Sequence, residues 1–227
     1  MRTLFAPQTL RSGALQLDKD EAHHARSVLR LGVGDSCRVV DGKGHEAEAK
    51  VTLCDRHHLT LAVAEVIHRD SAATAQLQVA LAAPKGGRLD DALRGLVELG
   101  VGGIVIVGCE RSSRLPQLDR LQRVAKEALK QSRGLYMPSI RLEPEFATWQ
   151  PSGRVVLLDP RGKGMDIGAP QATTLVIGPE GGLTETEEAR LLAEGAQPLR
   201  LVSTILRIET AALAATAVMA HAWEHYE

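Results

Sequence analysis

Three short stretches, two of them glycine-rich, set reactive side chains where an apolar run gives way to a helical pattern. The first is Gly178-Pro179-Glu180-Gly181-Gly182, which follows the strand-like Leu175-Val176-Ile177. Its glycines let backbone come close to a ligand. It lacks the lysine and the following Ser/Thr of a phosphate-cradling loop. A carboxylate inside the turn repels phosphate, so a ligand there is neutral or cationic and is held mainly by backbone. The G-x-G-x-x-G fingerprint of a dinucleotide fold is also missing. The second stretch, Leu206-Arg207-Ile208-Glu209-Thr210-Ala211, opens a helix rich in alanine (Ala211, Ala212, Ala214, Ala215, Ala217), whose small residues permit close approach of another backbone. Arg207 and Glu209 straddle its start. The third, Lys85-Gly86-Gly87-Arg88, lies just past an apolar run and is followed by Glu98-Leu99-Gly100-Val101. Taken singly, each has a structural explanation: glycines for the shape of a turn, a salt bridge for Arg207 and Glu209. Together they put three loops at one place, the carboxyl edge of an open α/β sheet, where such sheets bind ligands.

The elements that must position these loops follow from periodicity. Before residue 70 come short β-prone runs, Ser36 to Val40, Glu46 to Leu53 and Leu59 to Ile67, with Gly-rich turns at Gly32 to Gly34 and Asp41 to Gly44. One helix interrupts them; Asp18 as N-cap with Glu21 three residues on starts it, and it is expected to reach about Leu31. Such a pattern predicts a small β-barrel. After residue 70 apolar strands (Leu77 to Ala82, Gly103 to Val107, Arg154 to Leu158, Thr173 to Ile177, Leu199 to Val202) alternate with helical patterns (Leu89 to Leu99, Gln117 to Gln131, Glu185 to Glu194, and one after Leu206). That alternation predicts a parallel sheet covered on both faces, and Ser71 to Gln76 reads as a linker. Thr184 with Glu187 forms a capping box for the helix after the glycine turn.

With 227 residues, 44% hydrophobic and 24% charged, the chain can bury a sizeable core. Cys37, Cys54 and Cys109 are widely spaced with no C-x-x-C pair, which argues against a disulfide framework or zinc ribbon and fits a reducing cytosol. His23-His24 finds no third ligand at a suitable spacing, so no metal is expected. No signal peptide or membrane-spanning run is present, which makes the expected location cytoplasmic. The net charge of -1 hides an excess of cations at Arg111, Arg114, Arg120, Arg123, Lys126, Lys130 and Arg133, against Glu110, Asp119 and Glu127. Such a segment suits a polyanion; a solvated helix face with ordinary salt bridges explains it equally well.

The set Lys85-Gly86-x-Arg88, Glu98-Leu99-Gly100-Val101, Gln131-Ser132, Ile177 to Gly182 and Leu206-Arg207-x-Glu209-Thr210-Ala211 resembles the RsmE family, the 16S rRNA uracil N3-methyltransferases of the SPOUT superfamily. Val28-Leu29-Arg30 with Gly34-Asp35, and Asp41-Gly42-x-Gly44, are similar to that family's N-terminal PUA-like barrel. The likeness covers nearly the whole chain. It implies an α/β fold with residues 1–70 as a PUA-like β-barrel RNA-binding domain. Residues 71–227 would be a SPOUT methyltransferase domain whose parallel sheet carries a C-terminal trefoil knot, an exception to the rule that chains do not thread loops. It further implies S-adenosyl-L-methionine as cofactor, 16S rRNA within the small ribosomal subunit as partner, and a homodimer. Carried over residue by residue, the cofactor loops are Leu157, Leu158 and Pro160; Ile177, Gly178, Pro179, Glu180, Gly181 and Gly182; and Leu201, Val202, Ile205 and Leu206. A sulfonium donor makes the carboxylate of Glu180 tolerable. The chain departs from the family at Gly87, commonly Asp, near Gly95, commonly Lys, and at Ile208, commonly Thr. Those side chains are then dispensable for the activity, or they mark a different substrate.

To methylate uracil N3 an enzyme must remove the N3 proton and stabilise charge on the flanking carbonyl oxygens. Arg207 is the catalytic candidate for the charge, and Glu209 for orienting Arg207 or accepting the proton. RNA contacts are expected from Arg26, Arg30, Lys85, Arg88, Arg111, Arg114 and Arg133. Two alternatives stay open: another SPOUT enzyme such as a ribose 2'-O-methyltransferase, which shares the glycine turn, and a non-catalytic RNA-binding protein.

Overall fold

The computed structural model describes residues 1–55, 58–84, 88–164 and 167–226. It divides into two compact units, Met1–Ser71 with Lys126–Met137, and Ala72–Ala125 with Pro138–Glu227.

The first unit is built on a five-stranded sheet ordered β1-β3-β4-β5-β2: β1 Thr3–Phe5, β2 Gly13–Leu17, β3 Ser36–Val40, β4 His45–Cys54 and β5 Leu59–His68. Only the β1–β3 pairing is parallel. On β4 the buried Ala47, Ala49 and Val51 alternate with exposed Glu48 and Lys50, the period-two pattern of a sheet with one face in the core. That core includes Leu4, Leu15, Leu17, Val39, Leu59 and Leu61. Neither β1 nor β2 follows from the periodicity, because one is three residues long and the other begins at a glycine with left-handed φ.

Helix α1 (Lys19–Ser27) starts as its spacing predicts, with Asp18 Oδ1 accepting from the Glu21 amide at 2.7 Å. It stops short of the expected Leu31. The Leu31 N–H turns back to the Ala25 carbonyl at 2.9 Å, Arg30 takes φ 54°, and Leu31 is thereby buried. Glu21 is itself buried; the Phe5 amide donates to it at 2.9 Å, and Lys126 and Lys130 pair with it at 2.9 and 3.2 Å. A carboxylate this deep persists only when paired and hydrogen-bonded. Two cations of the basic segment are therefore engaged by one carboxylate more than a hundred residues away.

The second unit holds a wholly parallel six-stranded sheet, ordered β11-β9-β10-β6-β7-β8. Its strands are β6 Leu77–Ala82, β7 Gly103–Val107, β8 Ser139–Glu143, β9 Arg154–Lys163, β10 Thr173–Ile177 and β11 Gln197–Leu199. Both β7 and β10 are buried at every position, which is why they read as continuous apolar runs. The helices are α2 (Arg88–Glu98), α3 (Leu118–Ser132, whose last residues count with the first unit), α4 (Glu185–Ala193) and α5 (Ile208–Glu224). A one-turn 3-10 helix, Ala73–Gln76, occupies the expected linker. Strand β8 escapes the sequence pattern because it lies at the sheet edge, partly exposed along its length. Helices α2 and α5 pack closely: a Cβ on Gly95 would sit 2.4 Å from Leu213 Cδ2, so a glycine seats that leucine.

Candidate active site

The glycine turn is braced from three directions. Its chain reversal is closed by Gly182 N–H donating to the Pro179 carbonyl at 2.8 Å, with Gly182 at φ 71°, a conformation that favours glycine. The capping box that starts α4 is present as predicted, Thr184 Oγ1 accepting from the Glu187 amide and Glu187 Oε2 from the Thr184 amide. The other oxygen of Glu187 accepts from the Glu110 amide at 2.9 Å. Arg111 Nη1 then donates to the carbonyls of Gly181 and Leu183 at 3.0 and 3.4 Å. The loop after β7 thus holds the loop after β10, a link that sequence spacing does not disclose.

Beside this turn opens a cavity of about 650 Å³ at the carboxyl ends of β9 and β10 and the start of α5. Of the residues expected to hold a cofactor, Leu157, Leu158, Pro160, Ile177, Gly178, Pro179, Glu180, Gly182, Leu201, Val202, Ile205 and Leu206 all line it; Gly181 does not. The run Leu199 to Val202 was expected to be a strand, but β11 ends at Leu199. Its apolar residues beyond that point face the cavity, and Ile205 is 86% exposed. Arg207 is the N-cap of α5 and lies on the cavity wall, exposed and without an ion pair to any described residue. Glu209 falls in the first turn of α5, outside the wall.

Sequence reasoning missed a charged cluster on the opposite wall. Arg161 binds Asp159 through its amide at 2.7 Å and through Nη2 at 2.8 Å, and reaches Glu188 at 2.5 Å. The Arg161 bonds hold the Asp159 carboxyl below the usual carboxylate range, and the two carboxylates raise the guanidinium in turn. An acid two residues before a base at a strand's end was the available signal. Burial pushes the thiols of Cys37 and Cys109 up to about 11 and about 12, each helped by a nearby carboxylate, so both are inert at neutral pH.

The expected RNA contacts are dispersed. Arg88 opens α2 between two carboxylates, Glu180 at 3.7 Å and Glu209 at 3.8 Å, while Arg111 is engaged by the turn. Arg114 is exposed. In the first unit Arg26 donates to the Asp55 carbonyl at 2.7 Å. Arg30 and Arg133 are exposed and both take left-handed φ, 54° and 59°. Lys85 lies outside the described residues, as do Gly86 and Gly87. Among the described residues no cluster could hold a metal ion, and no helix is long and apolar enough to cross a membrane.

As a binding site the cavity offers apolar walls, a backbone-lined turn, the carboxylates of Asp159, Glu180, Glu185 and Glu188, and three arginines, of which Arg161 is paired with Asp159 and Glu188 and Arg111 is bound to the turn, leaving Arg207. That donor set fits a ligand with an apolar ring and a positive charge better than one with a phosphate. Comparison with known proteins agrees. An RNA methyltransferase domain model matches residues 71–220, and an RNA methyltransferase PUA domain model matches residues 17–64. Ribosomal RNA small subunit methyltransferase E of Mycobacterium bovis is 31% identical over 97% of this chain and 93% of its own. The protein of that name from Synechocystis is 29% identical over 95% of this chain and 76% of its own. A crystal structure of ribosomal RNA small subunit methyltransferase E from Neisseria gonorrhoeae, bound to S-adenosyl methionine, covers 98% of both chains at 28% identity with a TM-score of 0.87.

Proposed function

The chain belongs to the RNA methyltransferase family that includes ribosomal RNA small subunit methyltransferase E, and on that premise we propose that it methylates N3 of a uridine in small-subunit ribosomal RNA. The carrying observation is the cavity beside the glycine turn, whose lining suits S-adenosylmethionine. Bound there, that cofactor supplies an electrophilic methyl group on a sulfonium. Leu157, Leu158 and Pro160, Ile177 to Glu180 with Gly182, and Leu201, Val202, Ile205 and Leu206 would hold it. Arg207, at the cavity wall, stabilises the negative charge that spreads over the uracil carbonyl oxygens. Glu209 would accept the N3 proton: the N3–H bond breaks and its electron pair stays on nitrogen for the new bond to the methyl carbon, whose bond to sulfur breaks with its pair left on sulfur as a neutral thioether, and the carboxylate becomes the acid. Single-turnover methylation by Arg207→Ala tests these roles. The rate falls while cofactor affinity stays; a rate near wild type removes Arg207 from catalysis.

Residues 1–70 then serve as the RNA-binding part, with Arg26 and Arg30 on phosphates, and Lys85, Arg114 and Arg133 from the rest of the chain add further phosphate contacts. Binding through phosphates weakens steeply with salt, and salt-insensitive binding contradicts that assignment. The enzyme would work as a cytoplasmic homodimer on the assembled subunit, as the family resemblance implies, and sedimentation tests the dimer. The C-terminal chain would form the trefoil knot that the family resemblance implies.

A further inference from the structure

We propose that Arg88 is a positioning residue that ties the cofactor turn to the helix carrying the proton acceptor, and is not a phosphate contact. The inference rests on the proposed function and concerns residues of three separate elements, the start of α2, the glycine turn and the first turn of α5. Arg88 Nη1 lies 3.7 Å from Glu180 Oε1, and Arg88 Nε lies 3.8 Å from Glu209 Oε1. A guanidinium presents donors along two edges of a rigid plane, so one arginine addresses two carboxylates from different elements; a lysine is a point charge and cannot do so equally. Arg88 thus stands between two carboxylates from different elements beside the cavity. A nucleic-acid phosphate approaching Arg88 would meet Glu180 and Glu209 as well, and that repulsion argues against a backbone contact.

The state of Glu209 gives the arrangement its purpose. While Oε1 faces Arg88, Oε2 is buried and has no hydrogen-bond partner among the described residues. A buried, unsatisfied carboxylate oxygen is costly, and in a native protein it calls for a reason. On the proposed function the missing partner is the uracil N3–H; because Glu209 lies outside the cavity wall and Oε2 is covered, the base must displace what covers that oxygen to reach it. By engaging one oxygen, Arg88 decides which one is left to receive the proton. Through Glu180 the same guanidinium fixes the turn against α5, so cofactor binding and carboxylate orientation share one residue.

The test is a double-mutant cycle on cofactor affinity, measured by calorimetry with the full chain and no RNA. Arg88→Ala and Glu180→Gln each weaken S-adenosylmethionine about two- to fivefold, the range of a partly exposed ion pair. The double variant is no weaker than the worse single one, and Arg88→Lys restores only part of the loss. In single turnover at saturating cofactor, Arg88→Ala slows the reaction about tenfold or more, while RNA affinity and its salt slope stay as in wild type. Additive losses in the cycle overturn the proposal. So does intact cofactor binding with weaker RNA binding and a salt slope lower by about one. The titration needs no methyl transfer, so a protein that shows the coupling yet methylates no rRNA refutes the proposed function and leaves the link standing.

Discussion

Replacing Arg111 by alanine should loosen the cofactor turn, not the grip on RNA. The guanidinium makes one good hydrogen bond, 3.0 Å to the Gly181 carbonyl, and one long one, 3.4 Å to that of Leu183. A net hydrogen bond contributes roughly 0.5–1.5 kcal/mol, and exposure of the arginine puts the pair at the lower end, about 1 kcal/mol together. No other described side chain donates to these two carbonyls, so the loss falls on the order of the turn itself. If the ligand requires the turn in its folded shape, about 1 kcal/mol corresponds to a roughly fivefold weaker Kd for S-adenosylmethionine. Calorimetric titration of wild type, Arg111→Lys and Arg111→Ala measures it, with lysine intermediate because it can serve one carbonyl. Unchanged cofactor affinity, together with weaker RNA binding and a reduced salt slope, would refute the reasoning and return Arg111 to the phosphates.

Three further outcomes are expected. Glu21→Gln leaves the buried Lys130 ammonium with one exposed partner, Glu127, and should cost about 3 kcal/mol, the scale of a broken buried pair; a urea midpoint within error of wild type would contradict this. Arg30→Gly relieves a left-handed side-chain-bearing residue and should raise stability by about 1 kcal/mol while weakening RNA binding; a variant that gains stability and binds RNA as before removes Arg30 from the interface. Asp159 titrates below its unfolded value in the native state, so its contribution is present above the ordinary carboxylate pKa of about 4 and is lost as pH falls through the native value. Wild type should therefore lose more stability than Asp159→Asn between about pH 4 and pH 2 in thermal melts, and parallel curves would exclude the Asp159–Arg161 pair as the cause.

What could be read in the sequence was local or strongly periodic. The buried runs of β6, β7 and β10, the Asp18 cap and the Thr184–Glu187 box follow from spacing within a few residues. The loops at 157–160, 177–182 and 201–206 do meet at one cavity. Misread were segments whose apolar pattern serves something other than a strand or helix core. Leu201 and Val202 face the cavity, and the last turn expected of α1 is unwound so that Leu31 can be buried. The edge strand β8 has too little burial to mark it. Least legible were the partners of charges. Lys126 and Lys130 meet Glu21, Arg120 meets Asp90 at 2.8 Å, and Arg111 meets two carbonyls of the glycine turn. A run of cations therefore overstated the charge free to meet RNA, because its neutralising groups arrive only with the tertiary fold.

The most direct test of the central claim is to incubate the protein with labelled S-adenosylmethionine and small ribosomal subunits that lack the modification, then digest the RNA to nucleosides. The account predicts label in N3-methyluridine from a single site of the small-subunit RNA. Label in a 2'-O-methylated nucleoside, or none while the cofactor binds, would contradict it.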